Sequence, residues 1–93
     1  MGVIEEIAAE RRRQVDVEGW TADHDDKHKL GELADAAACY ALSSAEDWAR
    51  DFWPWAAKWW KPKDRRHDLV RAAALIVAEI DRLDRARDGG CER

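Results

Sequence analysis

His24 and His28 stand four residues apart in Asp23-His24-Asp25-Asp26-Lys27-His28, a stretch that puts two imidazoles and three carboxylates within six residues. Neutral imidazole and carboxylate are ligands for divalent cations such as Mn²⁺ or Zn²⁺. The same groups also fix a polar ligand or a partner helix by hydrogen bonds. In a polar turn they satisfy free backbone N–H groups, as Asx-type turns and helix caps do. The residue types leave all three uses open.

A second group is aromatic. Five of the six Trp fall between positions 48 and 60, around Trp53-Pro54-Trp55-Ala56-Ala57-Lys58-Trp59-Trp60-Lys61-Pro62-Lys63. Trp is seldom fully buried and its N–H wants a partner, so this density exceeds what a small core requires. The segment either wraps the helices as an apolar belt, or seals a dimer, or forms a stacking platform. In the last case Lys58, Lys61 and Lys63 would face the phosphates of a stacked nucleotide. The ligand-binding candidates are therefore Trp20, His24, Asp25, Asp26, His28, Trp53, Trp55, Trp59, Trp60 and Lys61. A third group is acidic: Glu6 and Glu10 lie one turn apart on a helical pattern, and so do Glu32 and Asp35. Each pair either solvates its face or chelates a cation, with Mg²⁺ or Mn²⁺ the candidate ion.

The elements that must position these residues are helical. Charged residues make up 39% of the chain, Ala and Leu dominate the aliphatic positions, and β-branched residues are few, which favours helix over sheet. The first helix is expected over 3 to about 17, with Ile4, Ile7, Ala8 and Val15 inward, ending before Gly19. The second is expected from about Lys29 to Leu42, with Leu30, Leu33, Ala34, Ala37, Tyr40 and Ala41 buried. Ser44 and Asp47 resemble a capping box that opens a short helix bearing Trp48 and Phe52, which Pro54 must end. Asp64 caps the last helix, expected to run to about Arg87 with a stripe of Leu69, Ala72, Ala73, Ile76, Ile80 and Leu83. The expected fold is all-α: a small antiparallel bundle of three main helices plus the short Trp-bearing one. Residues 1–88 form the single domain, 89–93 are a flexible tail, and copies self-associate through the Ala-rich helix or the Trp belt.

Several function classes are disfavoured. The net charge is −4, with basic residues scattered, so duplex nucleic acid is not an expected partner. Cys39 and Cys91 have neither disulfide nor zinc-site spacing, which suits a reducing cytoplasm. No stretch is apolar enough to span a bilayer and no export signal is evident, so neither membrane insertion nor export is expected. There is no Gly-rich phosphate loop and no nucleophile motif.

The chain from Glu10-Arg11 through Glu18-Gly19-Trp20-Thr21, His24-Asp25-Asp26, His28 and Gly31-Glu32-Leu33-Ala34, then Trp53-Pro54-Trp55, then Ala78-Glu79-Ile80 with Arg82-Leu83, resembles a family of small phage and prophage proteins. That resemblance implies an accessory role in a host cell, in nucleotide metabolism or against a host defence. Two partners follow: a sequestered signalling nucleotide, or a host defence protein bound in the manner of an anti-CRISPR inhibitor. Gly31-Glu32-Leu33-Ala34-Asp35 is also similar to the Glu-x-x-Asp helix of MazG-like nucleoside triphosphate pyrophosphohydrolases. That likeness implies Mg²⁺ held by Glu32 and Asp35 with Glu6 and Glu10, although the upstream pair is spaced by four residues where the family has three.

Overall fold

A computed structural model describes residues 2–42 and 52–89, and the fold is all-α. Helix α1 spans Val3–Asp16, α2 Ala22–Asp26, α3 Glu32–Ala41 and α4 Arg65–Gly89, with a single 3₁₀ turn at Ala57–Trp59. The expected capping box at Ser44, most of the short helix it would open, and Cys91 lie outside the described residues. Phe52 lies in a turn and is exposed.

Local chemistry explains the boundaries. Glu5 and Glu6 occupy the first turn of α1 and Arg13 its last, which suits the helix dipole. Gly19, at φ 80°, turns the chain back, and the Trp20 N–H then donates to the Gln14 carbonyl at 2.9 Å. Only a residue without Cβ takes that conformation cheaply. The polar turn contains a helix of its own: Thr21 caps α2, its hydroxyl accepting from the His24 N–H. Gly31, at φ 87°, opens α3, and that helix begins three residues later than expected because Leu30 is thrown outward, 88% exposed. As expected, Asp64 caps α4 by accepting from the His67 N–H at 2.8 Å.

Helices α1 and α3 both pack on α4, and α2 sits against it as well. Arg65, at the start of α4, donates to the Ala41 and Leu42 carbonyls at the end of α3. Glu6, near the start of α1, pairs with Arg66. Hence α1 and α4 run one way and α3 the other, an up-down-up arrangement.

The expected inward faces of α1 and α4 are corrected. In α1 the buried residues are Glu10 and Gln14, whereas Ile4 is exposed. In α4 the buried side is Asp68, Arg71, Ala72, Ala74, Leu75, Ala78 and Arg82. Of the anticipated stripe only Ala72 is buried; Leu69, Ile76, Ile80 and Leu83 are between 42% and 52% exposed. The reason lies in what α4 faces. The chain from Trp60 to Lys63 crosses beside it without regular structure, and its backbone groups need partners: Arg71 donates to the Lys61 carbonyl and Asp68 accepts from the Lys63 N–H. Aromatic rings and small Ala side chains supply the apolar filling instead: Trp20, Leu33, Ala36, Ala37, Cys39, Tyr40 and Trp53 join Ala72, Leu75 and Ala78 in one cluster. The Ala-rich helix is thus largely consumed inside the chain.

Candidate functional site

The turn around His24 and the Trp segment, about thirty residues apart in sequence, meet in space. Arg11 reaches from α1 to the Trp20 carbonyl at 3.2 Å and to the Asp25 carboxylate. Asp25 is fully buried, and its other oxygen lies 3.0 Å from His24 Nδ1. Behind the turn, Asp26 is held to α4 by Arg85 at 2.8 Å. Both aspartates thus shape the site without facing it.

The Trp segment divides by role. Trp53 and Trp60 turn inward onto Tyr40, with ring centroids 5.4 and 4.8 Å away. The Trp53 indole N–H donates to the Ala56 carbonyl at 3.1 Å, and the Tyr40 hydroxyl accepts from the Lys61 N–H at 3.2 Å. Burial raises the Tyr40 phenol above its ordinary value. Trp55 and Trp59 turn the other way. Trp55 stands 5.6 Å from Trp20 and 5.3 Å from His28, ring centre to ring centre, and Trp20 stacks within 12° of parallel on His24.

These residues line a cleft of about 420 Å³ walled by Glu18, Trp20, His24, His28, Trp55, Ala56 and Trp59. That volume lies within the range of small-molecule sites, which are mostly apolar with a few placed polar groups. Lys58 and Lys61 sit 5.3 and 5.5 Å from the Trp59 ring centre. Glu18 is balanced by Arg13 at 3.0 Å and Lys61 at 3.5 Å. The Trp55 indole N–H is buried and has no hydrogen-bond partner among the described residues. With no accessible surface, that donor lies behind the cleft wall rather than opening into it.

The chain matches no protein-family model, no curated protein and no solved structure. The cleft must therefore be read from its own chemistry.

Of the ten ligand-binding candidates, five line the cleft (Trp20, His24, His28, Trp55, Trp59) and Lys61 stands beside Trp59. Trp53 belongs to the core, Trp60 is half-buried against it beside Tyr40, and Asp25 and Asp26 brace the turn. The acidic candidates go elsewhere. Glu6 holds Arg66, whose hydrogen bonds keep its carboxyl below the usual range. Glu10 holds Arg13 at 2.9 Å and faces Arg71. Glu32 accepts from the Leu30 N–H, and Asp35 is exposed. Among the described residues no group of three or more His, Cys, Asp or Glu is gathered to hold a metal ion.

A second, larger hollow of about 510 Å³ lies between α1 and the first turns of α4. Its charged groups Glu6, Glu10, Arg13 and Arg66 are already paired with one another, so it offers less to a ligand. Sequence reasoning missed Glu18 and Ala56 as cleft walls and Arg11 as the residue that fixes Asp25. Arg11 sits inside a run of three arginines, with no local signal to set it apart.

Proposed function

We propose that the protein is a nucleotide-binding protein whose ligand stacks its base in the cleft between Trp20, Trp55 and Trp59. The observation that carries this reading is the convergence of two separate aromatic stretches on one cleft, with lysines at Trp59. Every nucleobase has a π-face, and stacking on an aromatic side chain contributes on the order of 1–3 kcal/mol per base. The His24 and His28 rings add aromatic surface to the cleft wall, and Lys58 and Lys61 suit the phosphates. In keeping with the likeness to small phage proteins, the proposed ligand is a host signalling nucleotide, sequestered without turnover in the cytoplasm.

Hydrolysis has less support. It requires Glu6, Glu10, Glu32 and Asp35 to converge on one Mg²⁺, whereas Glu6 and Glu10 are each matched to guanidinium groups. Incubation with nucleoside triphosphates and cyclic or ADP-ribose nucleotides, followed by mass spectrometry of bound and free fractions, separates the readings. Intact nucleotide released on heating supports sequestration; monophosphate and pyrophosphate formed only with metal support hydrolysis; neither bound ligand nor product refutes both.

The exposed stripe of α4 supports a second element, self-association. Leu69, Ala73, Ile76, Ile80 and Leu83 are spaced alternately four and three residues apart, the repeat of a coiled-coil seam. A partner surface of this kind equally suits a host defence protein, and sedimentation of the isolated chain distinguishes the two occupants.

A further inference from the structure

The Nε2 atoms of His24 and His28 face each other at 3.3 Å. Two nitrogens bound to one tetrahedral cation at about 2.0–2.1 Å stand about 3.3–3.4 Å apart. The separation of the two nitrogens therefore matches that of a chelate. Their other nitrogens are also arranged for it: His24 Nδ1 lies 3.0 Å from the buried Asp25 carboxylate and His28 Nδ1 lies 3.8 Å from Glu32. The Asp25 carboxylate, at hydrogen-bond distance, favours the Nδ1–H tautomer of His24 and leaves its Nε2 as a lone pair, the arrangement that supports metal-bound histidine, while Glu32 places negative charge on the Nδ1 side of His28 from beyond hydrogen-bond reach.

Hydrogen-bond accounting points the same way. As neutral rings, one of the two must place an N–H in the gap. His24 is the acceptor there, because its proton is on the Asp25 side. His28 then donates from Nε2 and turns an unprotonated Nδ1 toward the Glu32 carboxylate, lone pair against lone pair. A cation between the two Nε2 atoms removes that conflict, since His24 then donates from Nδ1 to Asp25 and His28 carries its proton on the Nδ1 side that faces the Glu32 carboxylate.

We propose that His24 and His28 form a two-histidine chelate for a borderline divalent transition ion, of the Zn²⁺, Ni²⁺ or Cu²⁺ class, opening into the aromatic cleft. With two protein ligands the ion keeps positions for water or for a donor atom of whatever occupies the cleft. Both side chains are partly exposed, at 31% and 20%, so an ion can enter from solvent. Hard ions are not expected: imidazole suits Zn²⁺, Ni²⁺ and Cu²⁺, while Mg²⁺ prefers oxygen. The chelate stands whether or not a nucleotide binds.

The test is a titration of the full chain with Ni²⁺, Zn²⁺ and Mg²⁺ chlorides in the absence of nucleotide, followed by the side-chain ¹⁵N signals of the histidines. The expected result is a coupled shift of both His24 and His28 Nε2, none at His67, saturation at one ion per chain, and tighter binding of Ni²⁺ than of Mg²⁺. His28→Gln should lose more than about tenfold in affinity with an unchanged circular dichroism spectrum. Glu32→Gln, which removes only the supporting carboxylate, should lose on the order of tenfold. Equal affinity in His28→Gln, shifts confined to His67, or Mg²⁺ binding as tight as Ni²⁺ overturns the proposal. Trp59→Ala removes a stacking wall and leaves both histidines in place, so metal binding retained in that variant separates this inference from the nucleotide reading.

Discussion

Arg11 and Asp25 lock helix α1 to the turn that carries the cleft: the Asp25 carboxylate, with no exposed surface, takes the Arg11 guanidinium on one oxygen and lies against His24 on the other. Arg11 is itself only 16% exposed. Removing one partner leaves the other charged and largely out of water, a loss of about 3–5 kcal/mol. Asp25→Ala is therefore expected to lower the urea midpoint steeply, and near-wild-type stability would contradict this role.

The two kinds of Trp should respond oppositely to truncation. Trp59→Ala is expected to weaken nucleotide binding by on the order of 1–3 kcal/mol with little change in stability. Trp60→Ala removes a ring packed 4.8 Å from Tyr40 and 4.9 Å from Trp53, and is expected to destabilise the fold by about 3 kcal/mol. Isothermal titration and urea denaturation of both variants check the contrast.

On α4, Leu75 has no exposed surface while Ile80 is half exposed. Leu75→Ala should cost about 2–5 kcal/mol. Ile80→Glu should leave the isolated chain within about 0.5 kcal/mol of wild type, and should reduce self-association in sedimentation equilibrium. A collapse of the Ile80→Glu chain would place that side chain in the core after all.

Glu10 sets an acid limit. Burial pushes its carboxyl upward, but hydrogen bonds from Arg13 and Gln14 and the charges of Arg13 and Arg71 outweigh this and hold it below the ordinary value. The unfolded chain then binds the proton more readily than the folded one. The stability that Glu10 contributes is complete above the usual carboxylate range, near 4.3, and is lost as pH falls through the lower folded value. Urea midpoints measured between about pH 7 and pH 3 should fall at the acid end, and less so in Glu10→Gln.

Much of the architecture was legible in the sequence. The Asp64 cap, the Gly19 stop and the run of helix formers locate α1, α3 and α4 to within a few residues, because those signals are local. The inward face of α4 was not legible. A stripe of Leu and Ile is the ordinary mark of a core, and only the irregular segment lying against α4 explains why Asp68 and Arg71 face inward. The site shows the same division. His24, His28, Trp20, Trp55 and Trp59 stand out by type and density, while the parting of Trp55 and Trp59 from Trp53 and Trp60 depends on backbone direction around Pro54 and the 3₁₀ turn. Asp25 and Asp26 read as ligands because carboxylates beside histidines usually do; their guanidinium partners lie 14 and 59 residues away.

The outward face of helix α4 would tie folding to how much protein is present. If its outward hydrocarbon seam is covered by a second copy, that copy acts as a ligand of the native state only, and the melting temperature becomes a function of total protein. A dilute sample and a concentrated one would then report different stabilities for the same sequence, and the working state of the cleft would follow the level at which the chain is made.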